Sequence, residues 1–84
     1  PYFMKIKMYH VSNLEKFMEL VSQCKGNVYV VSEDGDKLNL KSKLTQFVAL
    51  SKLFASGYIE SLSLETTDES DSALLLNYMI SGEQ

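Results

Sequence analysis

Polar and hydrophobic residues alternate at the start of this chain and then change to helical spacing. Residues 4–8 alternate methionine or isoleucine with lysine, which is typical of a β-strand with one buried face. Apolar residues recur every three or four positions over residues 14–24, which predicts an amphipathic helix ended by Gly26. Ser12 and Glu15 have the spacing of a capping box, so we expect them to begin this helix.

The middle of the chain predicts a β-hairpin followed by a second helix. Residues 28–31 are β-branched or aromatic, an Asp-Gly pair at 34–35 is a hairpin turn signal, and residues 37–40 form the returning strand. Residues 43 to about 53 carry apolar side chains roughly on one side of a helix, with Ser42 placed to cap it.

The last part of the chain predicts a fourth strand, in which Leu62 and Leu64 alternate with polar residues, and a third helix over residues 68–80. The element order β-α-β-β-α-β-α predicts an α+β fold in a single domain spanning residues 1–84, an open-faced β-sandwich with three helices on one face of a four-stranded antiparallel sheet. The side chains that periodicity points inward are Leu14, Phe17, Val21, Val28, Val30, Leu38, Leu40, Leu62, Leu64, Ala73, Leu76 and Ile80.

Composition narrows the classes of function. The net charge of −3 argues against a nucleic-acid binder, because such proteins need a basic face. The single cysteine, Cys24, forms no internal disulfide and favours a reducing, cytoplasmic location. No apolar run has membrane-spanning length and no signal-peptide pattern is visible, so we expect no membrane insertion. The acidic residues lack the spacing of a calcium loop, and we expect neither metal nor cofactor.

The chemistry-bearing residue with the most informative position is His10, the only histidine in the chain. It lies between the predicted first strand and first helix. A helix N-terminus offers unpaired N–H groups and a partial positive charge, which suit a phosphate. A neutral imidazole is nucleophilic near neutral pH, so His10 is a candidate phosphoryl acceptor. The alternative interpretation is an ordinary polar loop residue.

The element order, the length and several local strings resemble HPr, the histidine-containing phosphocarrier family of the bacterial sugar phosphotransferase system. In that family a histidine follows the first strand and precedes the first helix, where His10 stands. Residues 38–42, after the Asp-Gly hairpin, are similar to the family's third strand running into its regulatory serine, and residues 68–80 are similar to its last helix. The resemblance covers nearly the whole chain and implies the sheet order 1-4-2-3.

The chain departs from the family's phosphorylation motif, which reads Gly-Leu-His-Ala-Arg-Pro. Ser12 stands at the arginine position and Asn13 at the proline position. The family's arginine neutralises charge on the phosphoryl group, whereas a serine donates only a neutral, weaker hydrogen bond. The motif's phosphoryl-binding charge is therefore missing from this chain.

The resemblance also implies a regulatory role for Ser42 and a partner-binding patch that includes Leu44 and Phe47. Ser42 has a second interpretation as a plain helix N-cap. The segment from Ser42 to Gly57 is several residues longer than in the family.

Two classes of function remain. In the first, the protein is a monomeric phosphocarrier that takes a phosphoryl group on His10 from an Enzyme I-like donor and passes it to a sugar-specific acceptor or regulator. It would then be a protein substrate without turnover of its own. In the second, it is a degenerate member that keeps the fold as a protein-binding or regulatory module.

Overall fold

The computed structural model describes residues 4–42, 55, 57 and 59–81. In this part of the chain four strands and two helices follow one another. They are β1 (Met4–Val11), α1 (Leu14–Gln23), β2 (Val28–Val31), β3 (Lys37–Asn39), β4 (Ile59–Thr66) and α2 (Glu69–Ser81).

The four strands form one antiparallel sheet in the order β1-β4-β2-β3, which agrees with the order implied by the resemblance. β1 pairs with β4 along its whole length, from Met4 to Val11. β2 pairs with β4 only over Val28 to Val30, and with β3 through the predicted hairpin. In that hairpin Gly35 has φ +87°, and its N–H donates to the Ser32 carbonyl at 3.0 Å. This left-handed conformation explains why glycine follows Asp34.

The prediction of three helices is wrong, and so is the predicted order of elements. Over residues 4–42 and 59–81 the order is β-α-β-β-β-α, with two helices rather than three. The helix predicted at residues 43 to about 53 lies outside the described residues. Helical spacing is weak support for a helix by itself, since most helical stability comes from tertiary packing. Neither described helix is long and apolar enough to cross a membrane.

Both helices contribute to one hydrophobic core against the inner face of the sheet. α1 buries Phe17, Leu20 and Val21, close to the predicted face. The core consists of Ile6, Met8, Val11, Phe17, Leu20, Val21, Cys24, Val28, Val30, Leu40, Ile59, Leu62, Leu64, Leu75 and Tyr78.

The inward face predicted for the last helix is wrong. α2 buries Leu75 and Tyr78, whereas Ile80 is 79% exposed, Ala73 is exposed and Leu76 is only half-buried. The reason is that α2 carries apolar residues on both sides, so that periodicity did not identify the buried side. Two other residues predicted to point inward are less buried than expected. Leu38 is 43% exposed on the edge strand, and Leu14 is half-buried against the core.

A buried carboxylate joins α2 to the connection between α1 and β2. Asp71 is 2% exposed, and its two oxygens accept the backbone N–H groups of Lys25 and Gly26, each at 2.8 Å. A Cβ at Gly26 would lie 2.8 Å from the Thr67 hydroxyl oxygen. Gly26 is therefore required by close approach and does not end α1 in a left-handed conformation as predicted; Cys24 is the C-cap.

Truncation of Leu75 tests this assignment of the α2 faces. We expect Leu75→Ala to lower the free energy of unfolding by about 2–5 kcal/mol, because it leaves a cavity in the core. Ile80→Ala in the same helix should change it by less than about 0.5 kcal/mol. Urea unfolding followed by circular dichroism measures both. Equal losses in the two variants would show that the faces are assigned incorrectly.

Candidate functional site

His10 interrupts the alternation of β1. Ile6 and Met8 are buried, so regular alternation would place the side chain at position 10 in the core as well. Instead His10 is exposed and Val11 is fully buried. The backbone of His10 has φ +55°, in the left-handed region. This rotation moves the next inward-facing position from residue 10 to residue 11. The histidine thereby leaves the core, and Val11 is buried in its place.

This backbone conformation costs free energy in any residue other than glycine. A left-handed L-residue costs roughly 1–2 kcal/mol, although histidine adopts the conformation more often than most. Such conformations cluster at functional sites, where surrounding structure holds them. His10 is the only non-glycine residue with positive φ among the residues that the structure describes. Its predicted exposure is confirmed, but it lies within β1 rather than after it.

The N-terminus of α1 begins four residues after His10. The side-chain oxygen of Asn13 accepts the N–H of Lys16 at 3.0 Å, so Asn13 is the N-cap and the predicted capping box of Ser12 and Glu15 is wrong. Asparagine and serine are comparable N-caps, and Asn13 is the one next to the first helical residue. The N–H groups of Leu14 and Glu15 have no acceptor within the helix, as in any first turn. Contact between these donors and the imidazole ring remains a prediction.

The residues that directly follow His10 in the chain and stand opposite it in the sheet bring no positive charge to it. Ser12 is exposed and neutral. Glu60 is the β4 residue between the partners of Tyr9 and Val11, so it stands opposite His10 in the sheet. Glu15 adds a second carboxylate in the first turn of α1. Negative groups at these positions disfavour a doubly charged phosphoryl group on His10.

One lysine of β1 interacts with the exposed aromatic residue beside the site. The ammonium of Lys7 lies 5.7 Å from the centre of the Tyr9 ring, within the range of a cation–π interaction. Tyr9 is 57% exposed and stands next to His10 in the chain. Two neighbouring residues of β1, Tyr9 and His10, are therefore both exposed.

The structure separates Ser42, the predicted regulatory residue, from His10. Ser42 follows β3, whereas His10 belongs to β1, and these strands are the opposite edges of the sheet. Ser42 is half-buried, and its backbone N–H donates to the Asn39 carbonyl at 3.2 Å. Leu44 and Phe47 lie outside the described residues.

Sequence reasoning missed two side chains of opposite charge that hold the end of α1. The Lys41 ammonium donates to the carbonyl oxygens of Val21 and Cys24, where a helix favours a cation. Asp71 accepts the next two backbone N–H groups, those of Lys25 and Gly26. Burial, and then the charge of Asp71, raise the pKa of the Cys24 thiol to about 11, so Cys24 is an inert structural thiol. Lys41 and Asp71 are both far in sequence from the end of α1, so no local pattern indicates these contacts.

Comparison of the chain with protein-family models, with curated proteins and with solved structures finds no match. Among the described residues, no group of three or more His, Cys, Asp or Glu side chains could hold a metal ion. The groups that this site offers to a ligand are the exposed imidazole of His10 and the N-terminus of α1.

Substitutions at His10 test its left-handed conformation. In an ordinary strand, glycine is less stable than alanine by roughly 0.5–1 kcal/mol. Here we expect the reverse: His10→Gly should be more stable than His10→Ala by about 1 kcal/mol, because only the alanine carries the left-handed penalty. Urea unfolding of the two variants gives the difference. An alanine variant that is the more stable one would contradict the left-handed backbone.

Proposed function

We propose that this protein is an HPr-like phosphocarrier that accepts a phosphoryl group on His10 and passes it to a partner protein. One observation carries the proposal: a left-handed backbone at His10 turns the imidazole out of the core, four residues ahead of the α1 N-terminus. The resemblance of the sequence supports the same role. The protein would be a substrate of the donor, in the cytoplasm, rather than an enzyme.

The proposed transfer needs few groups from this chain. A lone pair of a neutral imidazole nitrogen attacks phosphorus, and the bond between phosphorus and the donor's leaving group breaks with its electrons. The donor is a phosphorylated Enzyme I-like protein. Unpaired N–H groups and the dipole at the start of α1 favour the negative charge of the phosphoryl oxygens. Positioned charge supplies most of the catalysis in such transfers.

A second function, a protein-binding module that does not transfer phosphate, is favoured by the charges around His10. Ser12 replaces the motif arginine, and Glu60 stands opposite the histidine. In this alternative the exposed surface of Tyr9 and His10 contacts a partner protein without covalent chemistry. The two functions differ in whether His10 becomes phosphorylated.

Phosphorylation by a donor system separates the two functions. We expect incubation with phosphoenolpyruvate and Enzyme I to label the natural protein slowly, with acid-labile phosphate on His10. Ser12→Arg should raise the labelling rate on the order of tenfold or more, because a charged hydrogen-bond donor to the phosphoryl oxygens then replaces the neutral serine hydroxyl. Intact-mass spectrometry and radiolabelling measure the rates.

The control is His10→Ala, which should show no label while keeping the circular dichroism spectrum of the natural protein. Absence of label in both the natural protein and Ser12→Arg, with Enzyme I from several sources, would exclude the carrier and leave the binding module. Labelling of the natural protein at the full rate of an ordinary carrier would contradict the importance given to the missing arginine.

A further inference from the structure

A gap opens in the sheet where β2 leaves β4. β4 pairs with β1 over its full length, but β2 pairs with it only as far as Val30 and Leu64. Beyond that pair β2 continues through Val31 into the turn that leads to β3. In the part of the chain that the structure describes, no strand lies on the β2 side of β4 at Ser61.

The backbone of β4 directs hydrogen-bonding groups into this gap. The N–H of Thr67 donates to the Asn27 carbonyl at 3.2 Å, so Thr67 faces β2. In an antiparallel sheet alternate residues face the same neighbour, and Ser63 and Ser61 therefore also face the β2 side. The N–H and C=O of Ser61 point to a place where none of the described strands follows, which is the situation of an edge strand.

The gap is a cleft of about 530 Å³ with one apolar and one polar side. Val30, Leu38 and Leu62 line the side that continues the core, and Leu38 is 43% exposed there. The exposed part of Leu38 can therefore pack against an apolar side chain of a binding partner.

The charges of the cleft are mostly negative. Glu33 and Asp36, from the hairpin turn, line it, and Lys7 lines it from β1. Within the described residues neither Glu33 nor Asp36 makes an ion pair. Two carboxylates against one ammonium favour a cationic ligand group over an anionic one.

We propose that this cleft binds an extended peptide segment of a partner protein that alternates basic and apolar residues. The segment adds to β4 through the backbone of Ser61, as peptides do when they extend a sheet. The basic side chain at the residue opposite Ser61 lies on the same face as Ser61 and reaches Glu33 and Asp36. The next residue, on the other face, places its apolar side chain against Leu38 and Leu62. The proposal is independent of phosphotransfer on His10.

The peptide Val-Lys-Val-Lys-Val, acetylated and amidated at its ends, is the probe. We expect titration to shift the amide NMR signals of Ser61 to Ser63 and of Val31. The matched peptide Val-Glu-Val-Glu-Val should bind at least about tenfold more weakly, because its carboxylates meet Glu33 and Asp36.

Two N-methylated peptides test the strand addition itself. Methylation of the lysine backbone nitrogens removes the donors that face β4 and should abolish binding. Methylation of the valine nitrogens leaves those donors and should largely keep it. Equal effects of the two methylations would overturn the pairing with Ser61.

Protein variants test the charge of the cleft. Glu33→Gln should weaken binding of the lysine peptide by about tenfold, whereas Asp34→Asn, in the same turn but outside the cleft lining, should change it by less than about twofold. Lys7→Glu should strengthen it. Tighter binding of the glutamate peptide, equal losses in the two turn variants, shifts confined to other surfaces, or no shift at millimolar peptide would each overturn the proposal.

Discussion

The carboxylate of Asp71 is the interaction on which the arrangement of the two helices depends. It lies in the first turn of α2 and binds two consecutive backbone N–H groups just after α1. Removing a buried charged acceptor leaves both donors unpaired, which costs more than the hydrogen bonds contribute. The charge also neutralises part of the positive end of α2, where its own first turn favours an anion. A single side chain thus ties the connection between α1 and β2 to the first turn of α2.

The surroundings of Asp71 are built to accept it. Gly26 lets the connection approach Thr67, whose hydroxyl accepts the N–H of Asn27 at 2.9 Å. The hydroxyls of Thr66 and Ser72 lie 2.6 Å apart in the same buried region. Lys41 donates to the carbonyl oxygens of Val21 and Cys24 at the end of α1. These contacts hold the C-terminal end of α1, the helix that begins four residues after His10.

Local patterns in the sequence predicted the strands, the hairpin and the buried face of α1, because these depend on alternation and turn chemistry. They did not predict the buried face of α2, since Leu75 and Ile80 are equally apolar and only packing distinguishes them. They also missed Asp71, because its place in the sequence is only that of an acidic residue near the start of a helix. Its partners at Lys25 and Gly26 are more than forty residues away, so no local spacing reveals them.

The position of His10 was predicted, but the cause of its exposure was not. Alternation from Ile6 and Met8 places residue 10 inside the core, and only the left-handed backbone reverses this. Histidine at that position gives no sequence signal for positive φ comparable to that of Gly35. The cleft beside β4 was likewise not predictable, because the point at which β2 separates from β4 is not encoded in the residues of β4.

Hydrogen exchange of the Lys25 and Gly26 amides tests the central role of Asp71 most directly. Both amides lie in a connection, and exposed connections exchange rapidly unless their N–H groups are bonded. We expect NMR to show both amides protected to nearly the level of the core strands. Asp71→Asn should remove this protection, and Asp68→Asn in the same segment should leave it unchanged. Rapid exchange of the two amides in the natural protein, or unchanged protection in Asp71→Asn, would contradict the central role of Asp71.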